Sequence, residues 1–235
     1  MTVYVPNSGE VEALKAILNA QAIKLMLYSN VITPDNTLAL ANLTELASGG
    51  SYGYAEQSLN AAVNEAAPAS GSWYVGLNSA GAAQAQYGLS SAPVTWTFNS
   101  YDVAEGVTVY GIAAYTWVLP FSTGLAAGGT NALLGVTIYG AGGATGVITG
   151  IVIESGSWAG GNAAGYFNIM TKTGTFLTGE GLFITSSSGT RIATNASGGD
   201  AVKKLLYVEN FSAGTAITAS GQQITYEPII TLASA

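Results

Sequence analysis

The sequence predicts an all-β protein with one short N-terminal helix. Short runs rich in Val, Ile, Thr, Tyr, Phe and Trp recur along the 235 residues, and such runs are typical of strands. Turn-forming Gly and Pro separate them, and the chain holds 31 glycines. A single segment shows helical periodicity, which disfavours a parallel α/β sheet because that sheet needs a helix between its strands. Together these observations indicate a β-sandwich or barrel.

The predicted helix covers residues 7–22. Asn7 or Ser8 is a suitable N-cap, and the acidic Glu10 and Glu12 match the positive end of the helix dipole. Two roles fit this element. It is either an arm that docks on a neighbouring molecule or a cover for an open sheet edge, and the cover is the preferred interpretation. Its apolar face consists of Val11, Leu14, Ile17 and Leu18.

The strand predictions follow β-branched and aromatic runs between turn residues. Two stretches rich in Ala, Gly, Ser and Asn, 60–71 and 78–92, are predicted as long loops, serving either as contact loops or as plain connections. The predicted strands are 23–29, about 54–63, 72–77, 93–99, 106–117, 134–139, 146–154, 164–170, 181–185, 190–194, 204–211 and 223–232.

Charge is scarce in this chain. Charged residues make up 8%, and none occurs from Gly106 through Ile153. Ser, Thr, Asn and Gln must therefore solvate much of the surface, and a surface with few charges resists association weakly. This composition suits a protein that is bound to many copies of a partner, although a secreted or crystalline β protein would share it.

Several partner classes are disfavoured. A net charge of −7 with six basic residues argues against nucleic acid, which needs clustered Lys and Arg. No window reads as an apolar helix of ~20 residues, so no membrane partner is expected. The N-terminal residues lack a basic and an apolar region, so no signal peptide is expected. Without cysteine there is no disulfide and no thiolate metal site.

Candidate catalytic groups are few. The chain has no histidine, which removes the usual general base and every Ser-His-Asp or Cys-His arrangement. Two carboxylate pairs remain for a glycosidase-like site, Glu10 with Glu12 and Asp102 with Glu105. The first pair lies at a helix start and the second at a predicted turn, where acids are ordinary. We therefore expect no enzyme activity and no catalytic residues.

No metal or cofactor site is predicted either. Asp35, Glu45 and Glu56 are possible calcium ligands, but the Asp-x-Asp-x-Asp-Gly spacing is absent. The Gly-rich loops lack the lysine of a phosphate-binding loop.

The aromatic residues have two interpretations. Those in strong strand patterns are predicted to pack in the core: Trp96, Phe98 and Tyr110. For the other aromatic residues three roles stay open, namely a sugar-binding surface, an intersubunit contact or core packing: Tyr52, Tyr54, Trp73, Tyr74 and Tyr101. Trp158, which lies between small residues, is predicted to anchor a small core of its own.

The stretch Ile23–Leu59 is the most informative one in the chain. It begins with an alternating strand, Ile23–Tyr28, followed by the turn signal Thr33–Asn36. A Leu-x-x-Leu-Thr-Glu segment ends at Glu45, and Gly53–Ala55 follows Tyr52. This order resembles a segment of the jelly-roll capsid decoration (cement) proteins of tailed bacteriophages. Further matching segments are Trp96–Asn99, Val107–Ile112, Lys204–Phe211 and Ile224–Leu232.

The resemblance implies a jelly-roll-like β-sandwich made of residues 1–118 and 202–235, with 119–201 as an inserted Gly-rich β module. It also implies a homotrimer that binds the major capsid protein on the outer capsid surface of the virion, after assembly in the host cytoplasm. A tail-fibre or other receptor-binding virion protein that recognises host glycans is the alternative. A carbohydrate-binding module is less favoured.

Overall fold

A computed structural model describes the structure of residues 7–19, 23–35, 37–46, 53–59, 63–64, 71–87, 93–99, 107–196 and 198–231. The protein is all-β, as predicted: antiparallel sheets dominate, and one short helix lies near the N-terminus. Within these ranges, no helix is both long and apolar enough to cross a membrane.

The elements alternate with short turns throughout. The helices are α1 (Asn7–Asn19) and α2 (Ala126–Thr130), with a 3-10 turn at Leu40–Asn42. The strands are β1 (Ile23–Tyr28), β2 (Gln57–Leu59), β3 (Val63–Asn64), β4 (Trp73–Leu77), β5 (Ala83–Tyr87), β6 (Val94–Thr97), β7 (Val107–Gly124), β8 (Thr137–Gly140), β9 (Thr145–Ser155), β10 (Ala163–Thr173), β11 (Gly181–Ile184), β12 (Thr190–Asn195), β13 (Val202–Ile217), β14 (Gln223–Tyr226) and β15 (Ile229–Thr231).

The chain forms two compact units. The first contains residues up to Tyr115, apart from 20–22, and the chain from Leu205 onward, whereas the second contains Thr116–Lys204. Strand β7 carries the chain from the first unit into the second, and β13 carries it back. The sequence placed an inserted module at 119–201. That the second unit is an insertion into a jelly-roll stays a prediction.

In the first unit, small sheets enclose one apolar core. Strand β1 pairs with β2 and β7, β14 pairs with β6, and a third sheet has the order β15-β5-β4-β3. All of these pairings are antiparallel except β3–β4. Inward side chains from all three sheets meet in the core, among them Leu25, Leu27, Trp73, Trp96 and Phe98.

Helix α1 covers one side of this core. Leu14 and Leu18, four residues apart, are almost fully buried there. The helix packs against β4 and β5. Its predicted last turn, 20–22, lies outside the described residues.

In the second unit, six antiparallel strands close on themselves. Going around, each strand pairs with the next in the order β7-β10-β9-β8-β11-β12, and β12 pairs with β7 again. A closed sheet has no free edge. The interior is filled by alternate residues of the strands, including Leu119, Phe167, Ile169, Leu182 and Ile192. We call this unit the barrel.

The Trp158 side chain is partly buried and packs against the barrel core, in agreement with the prediction that it anchors a core of its own. Its ring stacks on Phe121 with centroids 5.1 Å apart. Glycines lie against it: a Cβ at Gly124, Gly128 or Gly129 would meet its ring or its own Cβ. The pair Gly128–Gly129, predicted to form a turn, instead belongs to helix α2, where the missing side chains make room for the indole.

Four other predictions need correction. The predicted loop 78–92 contains β5, and the predicted strand 223–232 is two strands, interrupted at Glu227–Pro228. The predicted strand 106–117 continues to Gly124 in β7, and Pro120 is tolerated there because the pairing with β12 reaches only Phe121. Tyr110 is half-buried rather than fully inside. Most of the predicted loop 60–71 lies outside the described residues.

Candidate interaction site

Residues 29–44 form a loop whose two ends are tied together. The backbone N–H of Ser29 donates to the carbonyl of Thr44 at 2.8 Å. The Asn30 side chain bonds both ways across the neck: its amide donates to the carbonyl of Asn42 at 2.9 Å, and its oxygen accepts from the N–H of Thr44 at 2.6 Å. Compact loops with joined ends are Ω-loops, which are often functional. We call residues 29–44 the Ω-loop.

The tip of the Ω-loop is a turn built around Asp35. Its Oδ1 accepts from both the N–H and the hydroxyl of Thr37, each at 2.7 Å. Pro34 precedes it and fixes one backbone angle. These hydrogen bonds from the Thr37 hydroxyl and amide lower the pKa of the Asp35 carboxyl below its ordinary value. Asp35 is therefore exposed and ionised at neutral pH, in the turn that the sequence predicted.

Strand β13 lies beside the Ω-loop. The amide of Asn210 donates to the carbonyl of Ile32 at 3.1 Å. The hydroxyl of Tyr28 donates to the Asn210 side-chain oxygen, with the carbonyl oxygen of Glu209 3.2 Å away. Burial, followed by the negative charge of Glu209, raises the pKa of Tyr28 to about 12. Tyr28 thus stays a hydrogen-bond donor through the physiological pH range.

Clefts open along the Ω-loop and β13. The first, ≈370 Å³, is lined by Pro34, Asp35, Leu38 and Leu205–Val208. A second, ≈220 Å³, is lined by Val31, Ile32, Tyr110 and Asn210–Gly214. Val31, one of the lining residues, is 74% exposed. The surface is concave and of mixed polarity, and such surfaces suit binding.

Two buried tyrosines, Tyr54 and Tyr115, lie near Glu45, the residue that follows the Ω-loop. The Tyr54 hydroxyl accepts from the N–H of Leu27 at 3.1 Å and donates to Glu45 at 3.3 Å. The Tyr115 hydroxyl is buried, and Glu56 lies close enough to act on its pKa. Burial is the main reason that the pKa values of both tyrosines lie well above the ordinary range. The two hydroxyls therefore stay protonated through the physiological pH range, and that of Tyr54 remains a donor to Glu45.

Several residues of the stretch Ile23–Leu59 lie around this loop. Tyr28 and Asn30 belong to the alternating strand and its exit, and Glu45 ends the Leu-Thr-Glu segment. Tyr54 follows Gly53, where a Cβ would collide with the Asn99 side chain. Each of these side chains makes a hydrogen bond at or beside the ends of the Ω-loop: Asn30 with Asn42 and Thr44, Tyr54 with Glu45, and Tyr28 with Asn210 of β13.

Of the two candidate carboxylate pairs, the structure describes only Glu10 with Glu12. Glu12 pairs with Lys15 at 2.8 Å on α1, and Asp102 and Glu105 lie outside the described residues. Among the residues that the structure describes, no three His, Cys, Asp or Glu side chains come together as metal ligands. Asp35, Glu45 and Glu56, the calcium candidates, are no exception.

The structure places the candidate aromatic residues in environments of different exposure. Trp73 and Tyr54 are buried in the first core, as are Trp96 and Phe98, so the surface role is wrong for the first two. Tyr74 is half-buried. Tyr52 and Tyr101 lie outside the described residues.

The barrel carries a second polar cluster that the sequence analysis missed. Lys172 and Lys203 place their ammonium groups 5.2 and 5.6 Å from the centroid of the Trp117 ring. Lys172 also pairs with Asp200 at 2.9 Å. Partial burial opposes ionisation of Asp200, but the bonds from Lys172 and from the amides of Phe176 and Ala201 lower the pKa of its carboxyl. The cluster is internally paired, and its geometry fits structural support.

No protein-family model, no curated protein and no solved structure matches this chain.

Proposed function

We propose that this chain is a structural virion protein. It binds the outer surface of a bacteriophage capsid as a homotrimer and stabilises the lattice of the major capsid protein. The observation that carries the proposal is the convergence of the resemblance-bearing residues, Tyr28, Asn30, Glu45 and Tyr54, on one loop. A segment that scaffolds a binding loop is what a decoration protein needs at its contact surface.

The physical mechanism is mass action. A protein that binds the assembled lattice but not its free subunits stabilises the assembly, and the stabilisation grows with the logarithm of its free concentration above the dissociation constant. The low charge of the chain supports this proposal, because long-lived contacts with many copies favour a surface that loses little solvation on binding.

The test is the composition of purified particles from the phage that encodes the chain. We expect stained gels to show this 23.7 kDa chain at a level comparable with the major capsid protein, and electron cryomicroscopy to show its density on the head. Sedimentation equilibrium of the free protein should give the mass of three chains. Density on the tail alone, at far lower copy number, would instead identify the receptor-binding alternative.

A further inference from the structure

The Asp35 carboxylate is exposed, and hydrogen bonds within its turn hold it in place. Its Oδ1 accepts both bonds from Thr37, and no basic side chain pairs with the carboxylate within the described part of the chain. The carboxylate is fully exposed, and the turn fixes its position. A negative charge is therefore held at a fixed place on the surface, where a cationic donor from outside can reach it.

Asp35 stands beside the ≈370 Å³ cleft between the Ω-loop and β13. Pro34 and Leu38 line one side and Leu205–Val208 the other. This volume admits a long side chain. Lysine and arginine pack their aliphatic stems on such residues while the charged head reaches a polar group.

The first unit, which contains this cleft, has few positive charges. The first unit holds ten carboxylates against two lysines, a net charge of −8, whereas the barrel holds four cations against three carboxylates, a net charge of +1. Both lysines of the first unit are engaged by its own glutamates: Lys15 by Glu12 at 2.8 Å and Lys24 by Glu56 at 3.7 Å. A cation for Asp35 is therefore not supplied by the described part of its own unit.

We propose that the cleft between the Ω-loop and β13 accepts a lysine or arginine side chain from the surface of a partner protein, with Asp35 as its counter-ion. The inference rests on the proposed function, which makes that partner a capsid subunit, and it names the chemistry of the contact.

The test is Asp35→Asn in the full chain, measured by binding to purified phage heads that lack the protein. The asparagine oxygen still accepts from Thr37, so the turn persists and only the charge is removed. We expect roughly tenfold weaker binding at low salt, because hydrogen bonds to charged groups contribute about that much. The difference should shrink at about 1 M NaCl, where the screening length falls to about 3 Å.

Glu154→Gln is the matched control, since it removes one exposed carboxylate from the barrel and should leave binding unchanged. If Asp35→Asn melts at a lower temperature than the wild type, Asp35→Ser keeps an oxygen for the turn and replaces it. Equal affinity of the neutral variant and the wild type would overturn the inference while the proposed function stands. Failure of the wild type to bind heads at any salt concentration would overturn the proposed function.

Discussion

At the scale of single residues, Gly111 determines how closely β13 approaches the first sheet. A Cβ at this position in β7 would meet the carbonyl oxygen of Glu209 and the hydroxyl of Tyr28. The first of these atoms is backbone and cannot turn aside. We expect Gly111→Ala to lower the free energy of unfolding by about 3 kcal/mol, the cost of overpacking, as measured by urea denaturation.

Gly198→Ala is the control for this substitution. The nearest atom to a Cβ at Gly198 is a carbon of Pro120 at 3.8 Å, an ordinary contact, so the unfolding midpoint should hardly move. Equal stability of Gly111→Ala and the wild type would mean that β13 does not pack on β7 as described.

Buried tyrosines predict sensitivity to alkali. Folding raises the pKa of Tyr28 from 10.0 to about 12, and that of Tyr207 likewise to about 12. The folded state thus holds these protons more tightly, so the stability they contribute is complete below pH 10 and is lost as the pH rises from 10 through 12. We expect unfolding by circular dichroism in that window, together with phenolate absorbance.

The variant Tyr28→Phe separates the contribution of Tyr28 to the alkaline pH dependence from that of the other tyrosines. This variant loses a hydrogen bond at all pH values, but it has no proton to lose, so its stability should fall less steeply between pH 10 and 12. Identical slopes for the variant and the wild type would show that Tyr28 does not titrate in the folded state as its burial implies.

Local turn chemistry was readable from sequence, whereas long-range pairing was not. Pro34-Asp35-Asn36 predicted the turn, because its hydrogen bonds join residues two positions apart. Tyr28 and Asn210 are bonded across 182 positions, and no local pattern encodes that partnership. The candidate site therefore emerges only once the fold brings β13 beside the Ω-loop.

At the scale of elements, most strands were predicted from their β-branched and aromatic residues, and strand β5, which has no β-branched residue, was missed. Strand β5 reads Ala-Gln-Ala-Gln-Tyr, with alanines buried on one face, and this composition gives little strand propensity. Helix α2 contains two glycines, which are poor helix formers; its place is set by the Trp158 ring. In both elements, tertiary packing outweighs propensity.

The indole of Trp158 is predicted to stabilise the barrel. Trp158→Ala removes the stack on Phe121 and leaves the glycines of α2 facing a cavity. We expect the barrel to lose about 3 kcal/mol, as for other large aromatic truncations, measured by thermal unfolding. Leu177→Ala is the control, because Leu177 is 54% exposed and should change stability little. Similar melting temperatures for the two variants would contradict the role of Trp158.

At the scale of the molecule, the chain contains two separate apolar cores of different character. The first is enclosed by several small sheets and one helix, and the second lies inside a closed barrel. The resemblance implied boundaries near residues 118 and 202, and the chain passes between the compact units after Tyr115 and again after Lys204. Closure of the barrel was not predicted, because it depends on the pairing of β7 with β10 and β12, which lie far along the chain.

Removal of the barrel tests whether the first unit is independent. Strands β7 and β13 pair, and Lys203 lies over the Trp117 ring, so the chain leaves and returns at neighbouring points. We expect a variant in which Asn-Gly replaces residues 117–203 to close as a hairpin. Because the first unit has its own core, the variant should stay folded by circular dichroism and keep the oligomeric state of the full chain in sedimentation equilibrium. A variant that is recovered only as aggregate, beside a soluble full-length control, would show that the barrel is integral to the fold.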